Sequence, residues 1–365
     1  MQVSMKRSLI FLNIAVAGSV LAAPRYKFVS LPQPGPDTRF GSAQDGVVSS
    51  GYGSPFNPQV IVTTPTESIN VFDRFGIVGG PKIKSADTWV LPVYGVPGNP
   101  SQQNDGYIYN GKFGRVPPPS WGYETSVRVI GGGAGGWILG GSWVRGGVLR
   151  TGAIRYNAAT GEMFDNAIGP HNWYSDVNSK GNFLLSASDE QIQSGWTLSW
   201  IEKANGDLVE LGEGEASFIN DHDEVVFSSM NAGTSGFAGI WRNGVRTFFP
   251  GFAQGDFRYG EGLSNSGLSL VGALLAGNDK RQYYLYDRDF NRFDVKSIVE
   301  GLPKNLQWTS MNIDKKTDQL YFGLRDPITN QLSIGRADPV PEPGTLAALG
   351  LGLAAVLRRR RAATN

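Results

Sequence analysis

The 365-residue chain repeats itself at intervals of about 45 residues, and that spacing limits its fold more than any other feature. SDVNSKGNFLLSAS (175–188), SFINDHDEVVFSSM (217–230) and GLSNSGLSLVGA (262–273) each place Asn in a turn. Gly or an acidic residue follows two to five positions later, and then an apolar strand. Asn178, Asn220 and Asn265 lie 42 and 45 residues apart, and Asn312 in SMNIDKKTDQLYFGL comes after another 47. ESINVFDRFGIVGG (67–80) reads as a further copy, with FGSAQDGVVSSG (40–51) and RVIGGGAGGWILGG (128–141) as divergent ones. A second motif precedes most of these turns. AIRYNAATGEMFD (153–165), SWIEKANGDLVELG (199–212), GIWRNGVRTFFPG (239–251) and YYLYDRDFNRFDV (283–295) each run aromatic strand, turn, strand. Asn-Gly and Gly-Asp supply the positive φ that a tight hairpin needs. Two hairpins per unit make four short strands, the arithmetic of a β-propeller blade.

The expected fold is therefore all-β and β-propeller-like, with seven four-stranded units across residues 25–337 and six or eight as alternative counts. A β-sandwich pair or a β-solenoid is the competing architecture. Pro92 to Trp121, with its Pro117-Pro118-Pro119 run, reads as an insertion in the third unit. Composition agrees with short strands and tight turns. Gly is 49 of 365 residues, nearly double the usual ~7%, and charged residues are 18% against a usual ~25%. The best short helix is DVKSIVE (294–300), stopped by Gly301 and Pro303.

The two ends carry targeting signals. Lys6 and Arg7 precede the uncharged run Ser8 to Ala23, which ends in small residues before Pro24. This is the order of a secretory signal peptide, expected over 1–22 with cleavage after Ala22. At the far end Val340-Pro341-Glu342-Pro343 is followed by an uncharged run, 344–357, and then by Arg358, Arg359, Arg360 and Arg361. A 14-residue helix spans about 21 Å, so it crosses the ~30 Å hydrocarbon core only with help from flanking residues and snorkelling arginines. The positive-inside rule keeps the arginines cytoplasmic and the preceding body outside, the orientation the N-terminus also predicts. Four arginines abutting an apolar run, with no basic or aromatic patch nearby, do not make a nucleic-acid site.

Residues 340–361 closely resemble the PEP-CTERM sorting domain of Gram-negative bacteria, through the Pro341-Glu342-Pro343 triplet, the Gly/Ala/Leu-rich span and the arginine cluster. The resemblance implies an exosortase as processing partner, transient inner-membrane insertion through the tail, and a setting often linked to exopolysaccharide. With the N-terminal signal and the repeats, this divides the chain into signal peptide (1–22), repeat-built domain (23–339) and sorting signal (340–365). Over 153–275 the paired motifs also resemble the repeats of the HAF family of extracellular proteins.

Removing Lys6, Arg7, the four tail arginines and Glu342 from the chain's 33 basic and 32 acidic residues leaves 27 and 31, a net charge of −4. Such a body has no electrostatic attraction for nucleic acid or an anionic membrane. The absence of Cys removes thiol catalysis, iron–sulfur clusters and cysteine zinc sites. Of the two histidines, His222 sits in Asn220-Asp221-His222-Asp223-Glu224, which looks like a metal cluster but occupies the turn that is Ser179-Lys180-Gly181 in the previous repeat. His171 has no carboxylate beside it in its loop. Asp287, Asp289 and Asn291 have the spacing of a calcium loop, which breaks at Arg292 and Ile298. The run Gly131 to Gly136 lacks the Lys-Ser/Thr of a phosphate loop.

No catalytic, cofactor-binding or metal residue is assigned. The expected function is that of an exported surface or matrix protein, non-enzymatic, whose body binds polysaccharide or protein, with Trp and Tyr at loop tips as sugar platforms. The alternative is a propeller-fold glycan lyase or hydrolase with paired carboxylates near a central channel.

Overall fold

The computed structural model describes residues 23–341, apart from 36, 55–56, 76–80, 84, 92–105, 118–124, 134, 145–150, 167–170, 189–196, 232–234, 254–255 and 278–279. Its strands form seven sheets, each with its strands hydrogen-bonded mainly in chain order. They are blade 1 (39–70), blade 2 (82–115), blade 3 (125–166), blade 4 (171–213), blade 5 (215–248), blade 6 (257–294) and blade 7 (307–339 with 26–30). This is a seven-bladed β-propeller.

Position within a blade dictates each strand's pattern. The second strand of blade 6, Ser269–Leu274, has both faces against neighbouring sheets and reads SLVGAL, a continuous apolar run apart from its first residue. The outermost strand of blade 4, Leu208–Glu213, alternates exposed and covered positions because only one face is packed. The core is accordingly divided. Among the described residues seven apolar clusters are buried, one between each pair of adjacent blades, from Val62, Val71 and Leu91 (blades 1 and 2) round to Ala43, Val48, Tyr321 and Ile334 (blades 7 and 1). No single slice stands alone, so the ring must close.

Closure comes from the N-terminus. Tyr26–Ser30 pairs antiparallel with Leu332–Pro339, Tyr26 opposite Pro339 and Ser30 opposite Gly335, and so becomes the outer strand of blade 7. Val299–Glu300 adds a short parallel strand outside it. The Val340 N–H donates to the Arg25 carbonyl at 2.8 Å, and Arg25 pairs with Glu300.

Two repeat assignments change. Ser68–Asn70 in 67–80 is the outer strand of blade 1, followed by the short helix Val71–Phe75, rather than another Asn turn. The Pro92–Trp121 stretch is not all insertion, because Gly106–Tyr109 and Lys112–Arg115 form the outer hairpin of blade 2. The expected helix in 294–300 is present as Val295–Ile298, capped by the Asp294 carboxylate on the Lys296 N–H at 2.9 Å.

Candidate functional site

The repeat's turns link the first two strands of each blade and meet on one face. Asn178 Oδ1 accepts from the N–H groups of Lys180 and Asn182, at 3.1 and 3.0 Å, while its Nδ2 donates to the Asn220 carbonyl at 3.0 Å. Asn220 repeats this one blade on. Its Oδ1 accepts from His222 and Glu224 N–H, both at 3.0 Å, and its Nδ2 donates to the Ser264 carbonyl at 3.0 Å. The position equivalent to Asn178 and Asn220 is thus Ser264, not Asn265, because Ser264 N–H bonds Leu268 O as Asn220 N–H bonds Glu224 O. Asn265 matches Asp221 and exchanges bonds with it: Asp221 N–H to Asn265 Oδ1 at 3.0 Å, and Asn265 Nδ2 to Asp221 Oδ2 at 2.8 Å. In blade 7 Asp314 takes the capping place, and Asn312 lies within the strand Gln307–Ile313. The following Gly or acidic residue also has a cause: Gly181, Asp223, Gly267 and Asp318 all adopt positive φ.

Each turn thereby clasps the next, from blade 4 through 5, 6 and 7 to blade 1, where Asp45 N–H donates to Asp314 Oδ2 at 2.5 Å. Burial raises the Asp223 pKa, but hydrogen bonds from Lys203, Asn182 and Asn178 outweigh it and hold the carboxyl below the usual range. Asp221 is held low in the same way, by Ser179, Asn265 and Lys315 acting against burial. His222 is exposed in this turn, and no group of three metal-ligating side chains occurs among the described residues. The His171 side chain lies outside them. Asp287 Oδ1 accepts from the N–H groups of Asp289 and Asn291, which closes the hairpin that the broken calcium pattern sits in.

Among the described residues six inner strands carry a one-residue bulge, at Gly41, Ile130, Ser175, Ser217, Glu261 and Thr309, and those of blades 4, 5 and 6 fall at equivalent positions before the capping residue. Inside the ring a cavity of about 320 Å³ is lined by Ser42, Lys82, Phe218, Glu261, Asn312 and Lys315. On the turn face Lys315 of blade 7 reaches Asp176 of blade 4, Nζ to Oδ2 at 2.5 Å. The Asp176 side chain is 1% exposed and also accepts the Ile219 N–H at 3.0 Å.

On the opposite face, between blades 6 and 7, lies a larger cleft of about 560 Å³. Lys280 and Arg281 of blade 6 and Lys296 of the helix Val295–Ile298 face Trp308, Thr309 and Arg325 of blade 7 across it. Arg281 joins the two cavities, because its Nη1 lies 3.4 Å from Glu261 Oε1 on the channel side and 3.5 Å from the Tyr283 hydroxyl. Burial raises the Glu261 carboxyl above its ordinary pKa, with Arg281 pulling the other way. Tyr283 is pushed up to about 12, mainly by burial.

The expected exposed Trp and Tyr loop tips are not seen among the described residues, where the large exposed apolar side chains are Phe, Leu, Val and Ile. Aromatics pack between blades instead, many under arginines, as Arg155 lies 4.4 Å from the Phe183 ring centre and Arg246 4.2 Å from that of Phe227. Trp308, half-buried in the cleft wall, was not distinguishable in the sequence from these packing aromatics.

Solved structures with this fold are propeller domains. The chain is similar to the β-propeller domain of the Trilobed protease from Pyrococcus furiosus, at 6% identity and a TM-score of 0.57, covering 87% of this chain and 98% of that one. That domain is described as having an open velcro topology, whereas here Tyr26–Ser30 closes the ring. It is also similar to a puromycin-hydrolysing peptidase of Mycobacterium tuberculosis (12% identity, TM-score 0.52, 85% of this chain and 55% of that one). An acylaminoacyl peptidase of Pyrococcus horikoshii gives 8%, 0.54, 89% and 53%. The chain spans about half the length of those two peptidases, and the likeness is one of fold. The PEP-CTERM protein-sorting motif matches residues 339–361, which include Pro341, Glu342, Pro343 and Arg358 to Arg361, and that motif implies an exported chain processed by an exosortase. No curated protein matches the sequence. Nothing in these comparisons supports the resemblance of the body to HAF-type repeats. No helix among the described residues is long and apolar enough to cross a membrane, and segments 1–22 and 344–357 lie outside them.

Proposed function

We propose that this is an exported cell-surface or matrix protein whose tail is cut by an exosortase and whose propeller is a non-enzymatic binding body, in a setting linked to exopolysaccharide. The division into signal peptide (1–22), propeller (23–339) and sorting tail (340–365), with transient membrane insertion through 344–357, belongs to the same proposal. The observation that carries it is where the sorting motif begins. The last propeller strand ends at Pro339, Val340 makes the final backbone bond to Arg25, and Pro341 follows at once. Removal of the tail therefore takes no strand from the ring.

The enzyme alternative needs two carboxylates flanking a scissile bond. Glu261 is paired with Arg281, and Asp176 with Lys315, which favours binding over hydrolysis. Intact-mass analysis of the surface form from the native host tests the proposal. The expected mass lacks both the signal peptide and the residues after the Pro-Glu-Pro triplet. A surface form running through Asn365 overturns it.

A further inference from the structure

The cleft between blades 6 and 7 carries more positive charge than its surroundings neutralise. Besides Arg281, its lining includes Lys296 and Arg325, and the lining carboxylate Asp294 is already committed to capping the helix Val295–Ile298. The Lys296 amine and the Arg325 guanidinium make no hydrogen bond or ion pair among the described residues, while Arg281 is balanced by Glu261. An anion entering between Lys296, on the helix after blade 6, and Arg325 on blade 7 meets two cations that no side chain among the described residues pairs.

The neutral part of the wall narrows the ligand further. Trp308 is held edge-to-face by Tyr283 and Phe322, with ring centres 6.4 and 5.0 Å away and both planes at 81°. Its position is therefore set before any ligand arrives. Its indole N–H, the Gln307 amide and the Thr309 hydroxyl make no side-chain hydrogen bond among the described residues. An immobilised aromatic, uncommitted amide, hydroxyl and indole donors, and unpaired cations match three chemical parts of one ligand: a C–H-rich ring face, ring hydroxyls, and a carboxylate. The volume of about 560 Å³ falls within the ~300–1,000 Å³ usual for small-molecule sites.

We propose that this cleft binds an acidic saccharide, with its carboxylate between Lys296 and Arg325 and a sugar ring against Trp308. This deepens the binding role proposed above and rests on it. The mature protein from the native host is titrated calorimetrically with trigalacturonate, trimannuronate and a hyaluronate tetrasaccharide, and with methyl-esterified trigalacturonate and hexaglutamate as comparisons. At least one acidic saccharide is expected to bind at least tenfold more tightly than the methyl ester and the hexaglutamate, and to weaken as salt is raised. A Lys296→Gln, Arg325→Gln double variant is expected to lose at least tenfold. These positions are exposed, so the variant retains the fold, which its unfolding transition checks. Trp308→Phe, which keeps the packing, is expected to weaken both acidic and neutral saccharides.

No binding by any acidic saccharide, equal binding of the ester, equal binding of hexaglutamate, or full affinity in the double variant each overturns the assignment. Retention of the host's own surface polysaccharide by parent and double variant alike leaves the binding role standing and removes this cleft from it. Retention by neither, with all acidic probes failing, removes both.

Discussion

Replacing Asn220 by Ala should be among the most damaging single substitutions on the turn face. The side chain is 0% exposed and makes four hydrogen bonds: from His222 and Glu224 N–H to Oδ1, and from Nδ2 to Ser264 O at 3.0 Å and Glu224 Oε2 at 2.7 Å. Water reaches the His222 N–H after truncation, because that residue is exposed. The buried Glu224 N–H would be stranded, whereas the Ser264 carbonyl keeps the Gly267 N–H at 3.1 Å and the Glu224 carboxylate keeps Arg242 at 3.1 Å and Arg288 at 3.5 Å. A buried group left without a partner costs about 1–3 kcal/mol and a lost bond to a group that keeps other partners about 0.5–1.5, so the expected loss is about 2–4 kcal/mol. Blade 6 supplies an internal control, because Ser264 caps the same turn with one hydroxyl, accepting from Leu268 N–H at 3.2 Å. Ser264→Ala should therefore cost only about 1 kcal/mol, and Asn220→Ser should fall between the two alanine variants. Urea unfolding of the purified mature protein measures all three. A loss below about 1 kcal/mol for Asn220→Ala, or equal losses at 220 and 264, would refute the ring of clasped turns.

The carboxyls of Asp221 and Asp223 are held below their unfolded pKa, so their contribution is present above about pH 4 and is lost as pH falls through the folded values. The urea midpoint should drop steeply below about pH 4 and less steeply in Asp223→Asn, as a midpoint series across pH measures. Lys315→Met strands the buried Asp176 carboxylate and should cost about 3–5 kcal/mol, whereas adding Asp176→Asn, which still accepts the Ile219 N–H, should restore most of it in the same assay. His222→Ala should change stability by no more than about 0.5 kcal/mol, and a chelator should leave the parent's melting temperature unmoved; a shift in either would place a site in that turn.

Much of this architecture was legible in the chain. A period of about 45 residues, with an Asn turn and an aromatic hairpin in each unit, can bury its apolar strands only by stacking unit against unit, and that settled four strands per blade. The capping role of Asn178 and Asn220 and the positive-φ place of Gly181 and Gly267 are local, set by bonds within five residues, so they left a local signature. The sorting motif is contiguous and was readable for the same reason. What the sequence left open depends on contacts between distant residues. One residue of slippage between Asn265 and Ser264 is invisible in a loose pattern, and only the backbone bond from Ser264 to Leu268 resolves it. Closure of blade 7 by Tyr26–Ser30 joins segments some 300 residues apart, and the pairing of Lys315 with Asp176 spans 139. The cleft combines side chains from 280 to 325 whose types are unremarkable singly. Charge and shape converge there only because two sheets, each folded by its own local rules, are set side by side by the closure of the ring.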